Sequence, residues 1–218
     1  MGEIVFIRHG QASFGAQNYD ALSPLGHRQS RWLGAYLNES GHRFDHVVSG
    51  TLRRHRETLA GIIQSLPHPA PQEDARLNEM SFFDMERAYA AQNGPSAPPE
   101  GPREIEAHFL RILKAWQQDE IIDARESFAA FRTRILAALA QFQRPGERVL
   151  IVSSGGVLGV ILGAILELDL QATTEIILGT YNASISRLRV VEQGLRLAQY
   201  NNVAHLEGPG RRHALTYL

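Results

Sequence analysis

Ile4-Val5-Phe6-Ile7-Arg8-His9-Gly10 carries the first decision about this chain. Four β-rich apolar residues without polar alternation read as a strand buried on both faces. The chain leaves that strand through a guanidinium, an imidazole and a glycine. A strand covered on both sides needs helices above and below it, and the following sequence supplies them. Ser23-Pro24 gives an N-cap and a proline at the first helical position, after which Leu25, Trp32, Leu33, Tyr36 and Leu37 recur at helical spacing until Gly41. Val47-Val48 reads as a second strand, and Leu52 to Leu66 as a helix stopped before Pro67. The order strand, helix, strand, helix predicts an α/β fold with helices outside the sheet.

Farther along, prolines 67, 69, 71, 95, 98 and 99 break every period except a short helical one near Asp84 to Gln92. Met80, Phe82, Phe83 and Met85 in this stretch need burial, so it reads as a cap or active-site border. Helices are expected over Arg103 to Gln118 and over Phe128 to Phe142, the second entered through Glu126-Ser127. A buried strand follows over Val149 to Ser153. Ser154-Gly155-Gly156 interrupts it before an apolar helix, Val157 to Leu166, and Ser184 to Val191 with Leu195 to Asn201 form a hairpin through Gln193-Gly194.

Charge and composition exclude several classes. Across 218 residues, Lys+Arg 22 nearly balances Asp+Glu 23, and the formal net charge of -1 provides no field for nucleic acid or an anionic membrane. An anion recognised here is recognised by a local cluster. The absence of cysteine removes disulfides, thiolate metal sites and a cysteine nucleophile. Lys114 is the single lysine, so positive charge resides in arginine, which forks onto carboxylate or phosphate. Glu3 and Arg8 interrupt the N-terminal apolar run, Phe6 breaks the myristoylation pattern, and Val157 to Leu166 falls far short of the roughly 20 residues of a spanning helix. A cytoplasmic protein is expected. His27, His42, His46, His68, His108 and His213 show no metal-ligand spacing, and neither a metal nor a cofactor is expected.

Three polar clusters follow predicted strands: Arg8-His9-Gly10, Ser49 leading to Arg53-Arg54, and Ser153-Ser154-Gly155-Gly156. In open α/β sheets, ligands bind beyond the carboxyl ends of strands, where such clusters can meet. Together with Leu22-Ser23-Pro24-Leu25-Gly26-His27-Arg28-Gln29, the run Val48 to Thr58 and Arg76-Leu77-Asn78-Glu79, these elements resemble the histidine phosphatase superfamily, the phosphoglycerate mutase-like branch. They keep that family's order and similar spacing over nearly the whole chain.

The resemblance implies a three-layer α/β/α domain over residues 1–218, with a C-terminal hairpin and a cap region at about 67–120 inserted after the second helix. It implies that His9 is a nucleophile forming a phosphohistidine, which divides one hard hydrolysis into two steps. Arg8 and Arg54 would hold phosphoryl oxygens, and Gly10 would let backbone approach them. Glu79 would be the proton donor for the leaving oxygen. Thr58 lies four residues after Arg54, on one helix face with it; Arg53, His55 and Arg56 are then expected on a solvated face, with Arg53 near Glu57.

Two departures stand out. Ser154 occupies the position where the family usually has a second histidine that donates to the phosphoryl group; its hydroxyl and the Gly155 N–H are the donors expected there instead. Gly15 stands where the family often has asparagine. His55 and His205 are the histidines that could stand in, and sequence places neither. The expected function is hydrolysis of a phosphomonoester, the partner being a small phosphorylated substrate or inorganic phosphate. A phosphoryl-binding or regulatory protein is the alternative, and a mutase a third reading. The sequence leaves a homo-oligomer open.

Overall fold

The computed structural model describes residues 2–13, 20–94 and 100–217. Gly15 and the prolines at 95, 98 and 99 lie outside the described residues. Strand β1 (Glu3–Arg8) is followed by α1 (Pro24–Glu39), β2 (His46–Ser49), α2 (Arg53–Ile63) and a two-residue strand β3 (Gln72–Glu73). Helices α3 (Phe82–Asn93), α4 (Pro102–Gln117) and α5 (Phe128–Gln141) precede β4 (Arg148–Ser153). Helices α6 (Gly155–Leu166) and α7 (Leu170–Gly179) lead into the hairpin β5 (Ile185–Val191) and β6 (Gly194–Asn202).

One sheet runs β3-β2-β4-β1-β5-β6. Its first four strands are parallel, with Val5 opposite Leu150 and Val47 also opposite Leu150, whereas β5 and β6 return antiparallel. Alternation along β1 divides the core in two. Ile4 and Phe6 join Val149, Ile151, Phe131, Ile135 and Ile161 on one face. Val5 and Ile7 join Leu33 and Leu37 of α1, Leu59 and Ile62 of α2, Leu150 and Val152 on the other. The expected three-layer α/β/α arrangement is therefore present.

The cap at Ser23 forms as its sequence requires, with Oγ accepting from the Gly26 N–H at 3.0 Å. Ser127 caps α5 in the same way. Adding a Cβ to Gly10 would put it 2.7 Å from the Gly26 carbonyl oxygen. The bare backbone at Gly10 thus lets α1 start directly against the end of β1, a packing reason where sequence suggested approach to a phosphoryl group.

Three elements differ from expectation. β3 is too short to carry a pattern. α6 begins at Gly155, not Val157, because the Glu79 carboxylate accepts from the Gly156 N–H and stabilises a first turn that glycine propensity disfavours. α7, rich in threonine and isoleucine, has a weak helical signal; Asp169 caps it, and Gly159 of α6 admits Ile177 so closely that a Cβ would lie 2.5 Å from its side chain. No helix among the described residues is long and apolar enough to cross a membrane.

Candidate active site

The order β2-β4-β1 puts three carboxyl ends side by side. The His9 N–H donates to the Ser153 carbonyl at 2.8 Å, and the Gly50 N–H to that of Val152 at 3.0 Å. The three polar clusters therefore open into one cleft of about 760 Å³, lined by Arg8, His9, Arg54, Glu79 and Gly155 among others.

His9 is 6% exposed. Its Nδ1 lies 2.8 Å from the Gly10 carbonyl oxygen, which only accepts, so Nδ1 carries the proton and Nε2 the lone pair. Burial, then the charges of Arg54 and Arg8, and then His55 hold this imidazole well below the usual histidine range, with the Gly10 bond pulling weakly the other way. His9 is thus a neutral imidazole near neutral pH.

Arg8, the last residue of β1, donates through Nη1 to the Thr180 carbonyl. Arg54, in the first turn of α2, is buried, and its Nη1 meets Asp20 Oδ1 at 2.7 Å. Thr58 one turn later accepts from the Gly10 N–H at 3.0 Å and donates to the Arg54 carbonyl at 2.7 Å. Arg53, by contrast, is 55% exposed and pairs with Glu57 at 2.6 Å. Glu79 accepts from its neighbour's N–H at Met80 through Oε1 and from Gly156 through Oε2. Arg134 of α5, which sequence reasoning missed, fixes the segment before Glu79 by donating to the carbonyls of Arg76 and Asn78 at 2.6 and 2.8 Å.

The sequence model of the histidine phosphatase superfamily (branch 1) matches residues 4–203. The chain belongs to this superfamily. A curated relative, the probable phosphoglycerate mutase GpmB of Citrobacter koseri, is 29% identical over 222 residues, covering 96% of this chain and 97% of the relative. Among solved structures, YhfR of Bacillus stearothermophilus matches with a TM-score of 0.69 at 21% identity, over 95% of this chain and all of that one. A mutant phosphoserine phosphatase from Entamoeba histolytica, in complex with phosphoserine, matches with a TM-score of 0.67 at 18% identity, over 94% of this chain and all of that one.

Against the histidine phosphatase pattern, the surface reading of His55 is corrected by the structure. His55 is fully buried, its ring centroid 5.7 Å from that of His9, and its Nε2 lies 2.6 Å from Ser154 Oγ. The first turn of α2 is inserted between strand ends, so consecutive residues Arg54 and His55 are both covered, which a one-faced helix does not predict. Burial and Arg54 hold His55 well below the usual histidine range. Ser154 is itself fully buried and sits behind Gly155, which reaches the cleft wall. The side chain of this N-cap residue makes no capping bond to α6; its oxygen is engaged with His55.

The pairing makes a prediction. Ser154→His alone places a second ring where His55 already packs, and is expected to destabilise the fold by about 1–3 kcal/mol through overpacking. Combining it with His55→Ala should recover most of that loss. Thermal melts of the three proteins test this, and an unperturbed single variant would contradict it.

His205 lies elsewhere, 3% exposed against Tyr36, and neither ring nitrogen has a partner among the described residues. Burial, aided by Arg211, lowers its pKa to about 4. Between pH 6.5 and 4 the unfolded chain therefore takes up a proton that the native histidine refuses, so stability falls as pH falls through this window. His9 and His55 shift in the same direction, so the comparison must be with a variant. His205→Phe is expected to remove about 2 kcal/mol of the stability lost between pH 7 and pH 5 in urea titrations. An unchanged pH dependence would contradict the assignment.

Proposed function

We propose that this chain is a phosphatase that hydrolyses a phosphomonoester through a phosphohistidine on His9. The observation that carries the reading is the bond from Nδ1 to the Gly10 carbonyl, which leaves a lone pair on Nε2 in a buried imidazole beside two arginines. In the first step Nε2 attacks phosphorus, the bond to the leaving oxygen breaks, and Glu79 gives that oxygen a proton. In the second, water attacks the phosphohistidine, Glu79 takes its proton back, and Nε2 leaves with its electron pair. Arg8 and Arg54 neutralise the equatorial oxygens throughout. The Gly155 N–H, in the first turn of α6, is a further donor, since helix N-termini favour anions. Ser154 stands behind this wall, bonded to His55.

Solved neighbours that are phosphatases, of phosphoserine and of glucosyl-3-phosphoglycerate, support hydrolysis. The test is turnover of 4-nitrophenyl phosphate with and without an alcohol acceptor. Inorganic phosphate should appear in step with nitrophenol. Transfer of most phosphoryl groups to the acceptor would favour a mutase. Phosphate binding without turnover would favour a binding or regulatory protein.

A further inference from the structure

The cleft has two ends of opposite character. Arg8, His9 and Arg54 occupy the inner one, and outward the wall consists of Met80, Phe82, Phe83, Ile105, Phe109 and Leu178. Phe82 of α3 and Phe109 of α4, both in this wall, stack with centroids 4.3 Å apart and planes 18° from parallel, which fixes the two helices against each other there. Phe83 and Ile105 are 45% and 36% exposed, and both belong to this cleft. Large apolar side chains lining a concave site mark a contact surface for a ligand.

Charge separates the ends further. Among the described residues lining the cleft, the arginines are Arg8 and Arg54, both at the inner end where a phosphoryl group engages them, and there is no lysine. The outer charges are held in pairs. Asp84 is shared by Arg87 and Arg125, the latter at 2.9 Å, and Glu86 holds His108 at 2.6 Å. A second anion on the substrate, such as a carboxylate or another phosphate, would exchange water for an apolar wall whose neighbouring charges already have partners. Burying such a charge without a counter-charge is costly, whereas an apolar group gains by leaving water.

Building on the phosphatase reading, we infer that the substrate's leaving group is an uncharged, apolar alcohol, aromatic by preference, seated along Phe82, Phe109 and Ile105, and that it is preferred over a leaving group with a second anion. The specificity resides in α3 and α4, and the phosphoryl seat stays common to every substrate.

Three substrates test this without confusion from intrinsic reactivity, because phenethyl phosphate, ethyl phosphate and 3-phosphoglycerate all release an aliphatic alcohol. The value of kcat/KM for phenethyl phosphate should exceed that for ethyl phosphate by about 10- to 100-fold, the scale of discrimination in apolar pockets, and that for 3-phosphoglycerate by more. Phe109→Ala should shrink the ratio of phenethyl to ethyl phosphate about tenfold. Because Phe109 also packs on Phe82, a second variant at the rim avoids any folding defect: Ile105→Arg should raise 3-phosphoglycerate relative to phenethyl phosphate about tenfold. Equal or better turnover of 3-phosphoglycerate by the wild type, or ratios unmoved in both variants, would overturn the inference while leaving the phosphatase reading intact. If 4-nitrophenyl phosphate is inert as well, the phosphatase reading fails and this inference with it.

Discussion

Arg54→Ala is expected to lower kcat/KM for 4-nitrophenyl phosphate by about 10²–10³-fold, the usual consequence of deleting one transition-state donor. The guanidinium is buried at the cleft, one turn before the threonine that supports Gly10. Its removal leaves a single arginine, Arg8, against the charge on the transferring group. Vanadate inhibition should weaken in parallel, since vanadate presents similar oxygens. Arg53→Ala is the matched control. That side chain is 55% exposed and, among the described residues, pairs with Glu57, so its loss should change kcat/KM by less than about twofold. Equal effects of the two substitutions would contradict the placement of Arg54 as the phosphoryl ligand.

His9→Ala should have the larger effect, a loss of at least about 10⁴-fold in kcat, because removal of a covalent nucleophile closes the two-step route altogether. Binding should behave differently. The neutral imidazole contributes no charge to the ground state, and Arg8, Arg54 and the N-terminus of α6 remain in place. Inorganic phosphate is therefore expected to bind His9→Ala within about threefold of the wild type by calorimetry. Residual turnover within about tenfold of the wild type would exclude His9 as nucleophile.

How much of this was readable in sequence follows from the kind of signal each part carries. β1 declared itself because four apolar residues without alternation have one economical placement, between two helix layers, and α1 because Ser23-Pro24 meets the chemistry of a helix start. The convergence of Arg8, His9, Arg54, Glu79 and Gly155 followed from strand ends and motif order, once adjacent strands β2, β4 and β1 brought those ends together. His55 was hidden for a physical reason. Helical periodicity assigns neighbouring residues to different faces, and it contains nothing about a helix end wedged among strands, where both faces are covered. The serine at 154 was visible and so was the histidine at 55, but their 2.6 Å bond spans 99 residues of chain. Arg134 was hidden likewise, since its partners are backbone carbonyls in a distant segment. α7 was missed because its packing against small residues of α6 outweighs a composition that local propensity disfavours.

The most direct measurement is identification of the phosphorylated residue during turnover. Wild-type protein mixed with 4-nitrophenyl phosphate, quenched at alkaline pH and digested, should yield one phosphoryl group on the peptide containing His9, stable in alkali and lost in acid as a phosphoramidate is. His9→Ala treated identically should carry none. An acid-stable phosphoryl group on Ser154, or steady hydrolysis by the wild type with no phosphoryl group on His9 under rapid quenching, would contradict the account.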